Sequence, residues 1–327
     1  MIKVLVADTP ETTGSDLDVE QSILGPDIVF LRHCCDGDEK QLIAACRNVD
    51  IVLTEYAPLT RNVIEHMQRC KLICVDGAGY DSIDLEAAVD ANISVCAIEE
   101  YCTDEVADHV LLLMLALCRR LAEYDDQVQR QELWQFDSLT GLARMRDMTL
   151  GIVGFGKIGK AVAHRAQGFG MKIIAHDYHP HANSATDSGV QFCDLPTLLE
   201  KSDIVSLNCS LSADNEHLID ANAFLKMSRN PILINCARGG LVDETAMAEA
   251  LDTGRISGAG LDVLSDEPPD LSTSKFTGRR NVIITPHVAF YSDASITASR
   301  EITASNIRSF LEGKHDNVRH YIHRAIA

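Results

Sequence analysis

One short glycine pattern constrains this chain more than any other feature. Gly154-Phe-Gly156-Lys-Ile-Gly159 follows the apolar run 149–153 directly, and helix-like apolar spacing resumes over 158–169. Three glycines at this spacing are common by chance. A strand before them and a helix after them give them weight as a phosphate-binding turn. The first glycine permits the tight turn, the second lets the backbone approach a pyrophosphate, and the third lets the helix pack closely on the strand. The helix N-terminus then offers free N–H donors and the positive end of its dipole. The next candidate strand, 172–175, runs into His176-Asp177. Asp177 lies 18 residues past Gly159, close to the roughly 20-residue spacing of a ribose-binding acid. A carboxylate there accepts hydrogen bonds from ribose hydroxyls and repels a 2′-phosphate. No Arg follows in Tyr178-His179-Pro180-His181, so NAD is expected rather than NADP.

The rest of the chain fits an α/β frame around that turn. Its 327 residues exceed the roughly 250–300 at which a single core stops growing. Strand candidates at 3–7, 28–31, 51–54, 72–75 and 94–96 alternate with helical patterns at 39–46, 61–69 and 85–91. A second series has strand candidates at 149–153, 172–175, 204–208, 231–235, 258–262 and 282–285, with helical patterns at 158–169, 196–200, 221–227 and 244–253 between them. Such alternation implies parallel sheets covered on both faces, and the second series suits a doubly wound dinucleotide domain. The longest helical pattern is 104–121, apolar nearly all round, with Thr103 as its expected N-cap. Residues 123–148 carry the only Trp, Trp134, show no period, and read as an arm or linker. A final helix is expected over 295–311.

Charge and cysteine usage exclude several classes. The formal net charge is −19, which argues against a nucleic-acid partner and against an anionic membrane surface. The longest apolar stretch, 110–117, is far below the roughly 20 residues of a membrane span. The 11 cysteines include no C-x-x-C pair, and most sit in apolar runs. A reducing cytoplasm fits that usage. No metal site is expected. His320-Tyr-Ile-His323 has ligand-like spacing but reads as a stray pair, and neither His179 nor His181 is given a role.

Three segments follow candidate strands and would face the cofactor crevice of an open α/β sheet. They are Asn235-Cys-Ala-Arg238-Gly-Gly, Leu261-Asp262-Val-Leu-Ser-Asp-Glu267-Pro-Pro and Thr285-Pro-His287-Val-Ala. With Val75-Asp-Gly77-Ala-Gly79-Tyr-Asp81, Glu105-Val-Ala-Asp-His109 and the glycine turn, in that order, the whole chain resembles the D-isomer-specific 2-hydroxyacid dehydrogenase family. Tyr101-Cys-Thr-Asp-Glu-Val-Ala-Asp-His and Phe290-Tyr-Ser are most similar to the branch of the C-terminal binding proteins and related bacterial dehydrogenases.

The chemistry of that family accounts for the residue types. Reduction of a 2-keto acid needs a cation to hold the carboxylate and polarise the carbonyl, and Arg238 supplies a permanently charged fork. It needs a proton donor, for which His287 fits. A carboxylate to orient that imidazole is available in Glu267. The resemblance also implies that the backbone of Ala78 and Gly79 binds the substrate carboxylate. It places Thr103, Gly154, Gly156, Lys157, Ile158, Gly159, Asp177, Cys209, Cys236, Ala237 and Asp262 along NAD, with Asp262 on the nicotinamide carboxamide. His109 reads as structural.

The resemblance further implies a discontinuous pair of doubly wound domains. Residues 1–101 with 293–327 would form a flavodoxin-like substrate domain. Residues 102–292 would form a Rossmann NAD-binding domain, with a dimerisation helix and arm over 103–148 building a homodimer. The expected substrate is a small 2-keto or D-2-hydroxy acid, in the manner of a hydroxypyruvate or glyoxylate reductase. Glu55, Tyr56, Ala78, Tyr101 and the arm around Trp134 are candidates for reading its side chain, and an acid at Glu55 would accept a hydrogen bond from a hydroxylated tail. Two other readings stay open: an NAD(H)-sensing scaffold like the C-terminal binding proteins, and a dehydrogenase for another anion such as formate or phosphite. The basic tail 317–327 has no expected role.

Overall fold

The computed structural model describes residues 1–178 and 189–325; His179 and His181 lie outside them. The described residues form two compact units, Met1–Tyr101 with the segment from Ser292 on, and Cys102–Tyr291. The strands, in chain order, are β1 (Ile2–Asp8), β2 (Ile28–Cys34), β3 (Ile51–Thr54), β4 (Leu72–Val75), β5 (Ser94–Cys96), β6 (Thr149–Val153), β7 (Lys172–His176), β8 (Gln191–Phe192), β9 (Ile204–Leu207), β10 (Ile232–Asn235), β11 (Gly258–Leu261), β12 (Val282–Ile284) and β13 (Tyr321–His323).

The first unit carries the sheet β13-β5-β4-β3-β1-β2. Its parallel strands run in the flavodoxin-like order 2-1-3-4-5. The central runs β3 and β4 are apolar without alternation because both faces are covered. Ile51 and Leu53 enter one core cluster and Val52 the other, as successive side chains of a strand point to opposite faces. Local capping sets where the helices begin. Asp38 accepts from the N–H groups of Lys40 and Gln41, Thr60 from Val63, and Asp84 from Ala87. The long helix Asp293–Leu311 starts at a reciprocal Ser292–Ser295 capping box and is tied to the helix Asp18–Leu24 by Arg300, which bonds both oxygens of the buried Glu20 at 2.7 and 2.8 Å.

The second unit carries the sheet β12-β11-β10-β9-β6-β7-β8. Counted from β6, this is the Rossmann order 3-2-1-4-5-6 with one further strand. Leu150 and Ile152 of β6 face one core cluster, and Val153 faces the other. The order reverses between β6 and β9, where a doubly wound sheet opens its ligand crevice.

The structure departs from the sequence reading in several places, the strand β8 among them, for which there was no candidate. Thr103 does not cap the helix Thr103–Cys118 but begins it; Cys102 precedes it with no side-chain cap. Residues 121–129 are helical, not an irregular arm, because Arg120 takes a left-handed conformation and breaks one helical pattern into two. Two short helices, Pro10–Gly14 and Asp18–Leu24, are present between β1 and β2, where no helix is expected from the sequence. The tail gives β13, antiparallel to β5, and thereby covers an otherwise open sheet edge.

Candidate functional site

The glycine turn lies at the reversal of the second sheet. Gly154 has φ +88°, and a Cβ there would lie 2.7 Å from the Asn208 carbonyl carbon and oxygen. A Cβ on Gly159 would lie 2.2 Å from the Gly154 oxygen. A Cβ on Gly156 would meet nothing within 4 Å. Gly154 and Gly159 let backbone and helix close up, and Gly156 leaves open space beside the start of the helix Lys157–Gly168, which has no side-chain cap. That space and those N–H groups fit a pyrophosphate. Asp177, just past β7, accepts from the Phe155 N–H at 2.7 Å and so hangs over the same turn. Asn208, whose backbone packs under Gly154, keeps a buried Oδ1 without a hydrogen-bond partner among the described residues.

The remaining residues expected along a cofactor fall into two groups. Lys157 is exposed and Ile158 partly buried. Burial pushes the Cys209 thiol up to about 11 and holds the Cys236 thiol well above its ordinary value. Both thiols are therefore neutral at physiological pH.

Arg238 follows β10 in a turn closed by Asn235. The buried Asn235 side chain donates to the Arg238 carbonyl at 2.9 Å and accepts from the Ala237 N–H at 3.0 Å. Gly239 has no room for a Cβ, which would lie 2.0 Å from the Leu264 carbonyl carbon. This close approach brings Arg238 beside the segment that carries Glu267. The Arg238 guanidinium also donates to the Ala237 carbonyl at 2.8 Å.

Glu267 and His287 meet directly. Nδ1 of His287 lies 2.6 Å from Oε2 of Glu267, and the Leu264 N–H donates to Glu267 Oε1 at 3.1 Å. Burial alone would raise the Glu267 carboxyl. The bond and charge of His287, the Leu264 N–H and the Arg238 charge outweigh it and hold the carboxyl below its usual value. Phe290 sits edge-on to the imidazole at 6.0 Å. His287 has φ +50°, a left-handed backbone that a non-glycine residue adopts only under constraint.

Asp262, 2% exposed, accepts from the Thr285 hydroxyl at 2.5 Å and the Val288 N–H at 2.9 Å on Oδ1, and from the Ala289 N–H at 2.9 Å on Oδ2. Of about four acceptor positions on a carboxylate, three are taken. Asp262, Glu267, Arg238 and His287 are thus brought together in one unit. Asn235, Thr285 and His109 belong to the same network, and nothing in their residue types alone marked them out.

In the first unit, the loop after β4 holds Gly77, Ala78 and Gly79. Ala78 is exposed and Gly79 partly so. The Glu55 side chain lies against this loop, its Cγ 3.5 Å from where a Gly77 Cβ would stand. His320 pairs with Glu99 at 2.7 Å. Among the described residues there is no group of three or more His, Cys, Asp or Glu that could hold a metal, and no helix is long and apolar enough to cross a membrane.

A Rossmann-order sheet with this glycine turn at its reversal, an acid beyond the next strand and a Glu–His pair at the strand ends defines an NAD-linked oxidoreductase. Residues 111–289 match the model of the NAD-binding domain of D-isomer-specific 2-hydroxyacid dehydrogenases. The chain is 35% identical over 286 residues to a glycerate dehydrogenase from Methylorubrum extorquens, covering 85% of this chain and 88% of that protein. It is 35% identical over 280 residues to a glyoxylate reductase from Thermococcus litoralis, covering 84% of each. A D-lactate dehydrogenase from Aquifex aeolicus, solved with NAD and lactic acid, superposes with a TM-score of 0.88 at 30% identity, covering 98% of both chains. The chain belongs to the D-isomer-specific 2-hydroxyacid dehydrogenase family and is an NAD-dependent enzyme of that class.

Proposed function

We propose that the protein interconverts a small 2-keto acid and its D-2-hydroxy acid, acting as a hydroxypyruvate or glyoxylate reductase. The observation that carries this reading is the 2.6 Å contact between His287 Nδ1 and Glu267 Oε2. That contact orients the ring and leaves Nε2 to exchange a proton with substrate. The names of the glycerate dehydrogenase and glyoxylate reductase relatives support the substrate class.

Arg238 binds the substrate carboxylate and polarises the carbonyl, so that negative charge developing on the oxygen meets a fixed cation. His287 delivers a proton to that oxygen from Nε2. Glu267 stabilises the imidazolium before transfer and holds the ring afterwards. NADH, when bound, supplies the hydride to the carbonyl carbon. Gly154, Gly156, Gly159 and the start of the following helix would hold its pyrophosphate, and Asp177 its ribose. Thr103, Lys157, Ile158, Cys209, Cys236 and Ala237 would line it, and the fourth acceptor position of Asp262 would take the carboxamide. In the first unit, the N–H groups of Ala78 and Gly79 are assigned to substrate binding.

We also propose a homodimer. Leu112, Leu121, Trp134 and Phe136 are 55–90% exposed on or near the helix Thr103–Cys118 and the segment after it, and an apolar surface of this kind suits a second copy of the chain. Eleven free cysteines suit a reducing cytoplasm.

The test is NADH oxidation by the full chain against glyoxylate, hydroxypyruvate, pyruvate and larger 2-keto acids, with His287→Ala run in parallel. Turnover of one acid and a loss of about 10²–10⁴-fold in the variant are expected. NADH binding with no turnover of any of these acids would overturn the reading.

A further inference from the structure

We propose that His109 is a positioning residue for His287, acting through Thr285 and Asp262. The inference rests on the assignment of His287 as the acid/base, and it concerns how that residue is held in its left-handed backbone.

The geometry forms one continuous chain of hydrogen bonds. The His287 N–H donates to the Asp262 carbonyl at 2.8 Å and to the Thr285 carbonyl at 3.1 Å. The next two N–H groups, of Val288 and Ala289, donate to the two oxygens of the Asp262 carboxylate, each at 2.9 Å. Asp262 therefore grips three consecutive amides, 287 to 289, and this grip imposes the φ of +50° at His287. The clamp on 288 and 289 works only while the carboxylate stays in place.

Thr285 and His109 secure it. The Thr285 hydroxyl has one proton and donates it to Asp262 Oδ1 at 2.5 Å. His109 Nε2 lies 3.0 Å from the same hydroxyl oxygen and 3.6 Å from Asp262 Oδ1. Because the hydroxyl proton is already committed, the hydroxyl can only accept from the ring, so His109 carries its proton on Nε2. His109 comes from the helix Thr103–Cys118 and Thr285 follows β12. The helix thus reaches the turn that presents His287 through two side chains.

The test compares four full-length variants: His109→Leu, His109→Gln, Thr285→Val and Thr285→Ser. Gln retains an N–H donor and Ser retains the hydroxyl. Two readouts are taken, amide hydrogen exchange of residues 287–289 without substrate, and kcat and KM with the best 2-keto acid and NADH. His109→Leu and Thr285→Val are expected to speed exchange at 287–289 by about tenfold or more, with β12 unchanged. They should lower kcat by about 10–10²-fold, as a displaced catalytic group does. His109→Gln and Thr285→Ser are expected to restore most of both. Wild-type exchange at 287–289 in His109→Leu and Thr285→Val would overturn the proposal, as would equal losses in the Leu and Gln variants. Should His109→Leu not fold, Thr285→Val against Thr285→Ser decides the matter. Should the wild type reduce no acid, the assignment of His287 falls, and the exchange arm still decides whether His109 holds the turn.

Discussion

The Glu267 carboxylate oxygen Oε2 and the His287 ring nitrogen Nδ1 lie 2.6 Å apart, although 20 residues separate them in the chain. The pair is anchored from both sides. Leu264 donates to the other Glu267 oxygen, and Asp262 holds the backbone of 287–289. A ring fixed at Nδ1 presents Nε2 in one direction, which is the requirement for directional proton transfer.

Glu267→Gln should separate orientation from charge. The amide keeps the shape but loses the carboxylate, and kcat is expected to fall by roughly 10²-fold. Stability should respond with a defined sign. The folded state holds Glu267 below its ordinary value. Its ionised form therefore adds stability above the unfolded value, and that stability is lost as pH falls through the folded value. The wild type should be the more stable protein near pH 7, and the two melting temperatures should converge as pH falls below the ordinary carboxylate range and through the lowered folded value. A gap that widens in acid would contradict this.

The glycines of the phosphate turn should fail in different ways. Gly156→Ala meets open space, so its melting temperature should stay near the wild type while the KM for NADH rises. Gly159→Ala places a Cβ 2.2 Å from a backbone oxygen and should destabilise the second unit by about 1–3 kcal/mol. Calorimetry beside NADH titration checks both. Equal melting temperatures for the two variants would refute the packing argument.

Asp177 should set the choice of cofactor. Its carboxylate accepts from Phe155 and would repel a 2′-phosphate at that place. Asp177→Ser should raise the KM for NADH and narrow the preference for NADH over NADPH by about tenfold or more, as removal of one bond to a charged group does. A wild type that used NADPH better than NADH would sink this assignment.

Asp76 should show the opposite pH behaviour to Glu267. Loss of surrounding water raises its carboxyl, and hydrogen bonds from Thr303 and Ser299 oppose this without cancelling it. A raised folded value means that the fold favours the protonated form, so stability declines as pH rises through that value. Asn can still accept both hydroxyl bonds, which end on one oxygen at 2.8 and 3.0 Å. Asp76→Asn is expected to be more stable than the wild type at pH 7, by roughly 0.5–3 kcal/mol, and to lose that advantage near pH 3.5. Melting curves of the full chain across this range provide the check.

Much of the fold was legible from local pattern. Ile51–Thr54, Leu72–Val75, Ser94–Cys96 and Thr149–Val153 were expected as strands at their observed bounds, since a buried parallel strand is a short unbroken apolar run. The tail strand β13 and the helix Leu121–Gln129 were not legible. The former exists only because the β5 edge is there to pair with. The latter depends on a left-handed Arg120 that residue type does not announce.

The candidate site divides along the same line. Sequence by itself determined the glycine turn, the acid beyond β7 and the residue types Arg238, Glu267 and His287, because each follows a strand whose C-terminal end must face the crevice. The pairing of Glu267 with His287 was expected from the resemblance, and the structure supplies its 2.6 Å geometry; tertiary structure alone decided that Asn235 closes the Arg238 turn, and that Asp262 grips the 287–289 amides with Thr285 and His109 behind it. Those contacts join residues as far as 176 positions apart. A hydrogen bond is set by atoms within about 3 Å in space, and spacing along the chain carries no record of it once helices and strands have folded back on one another.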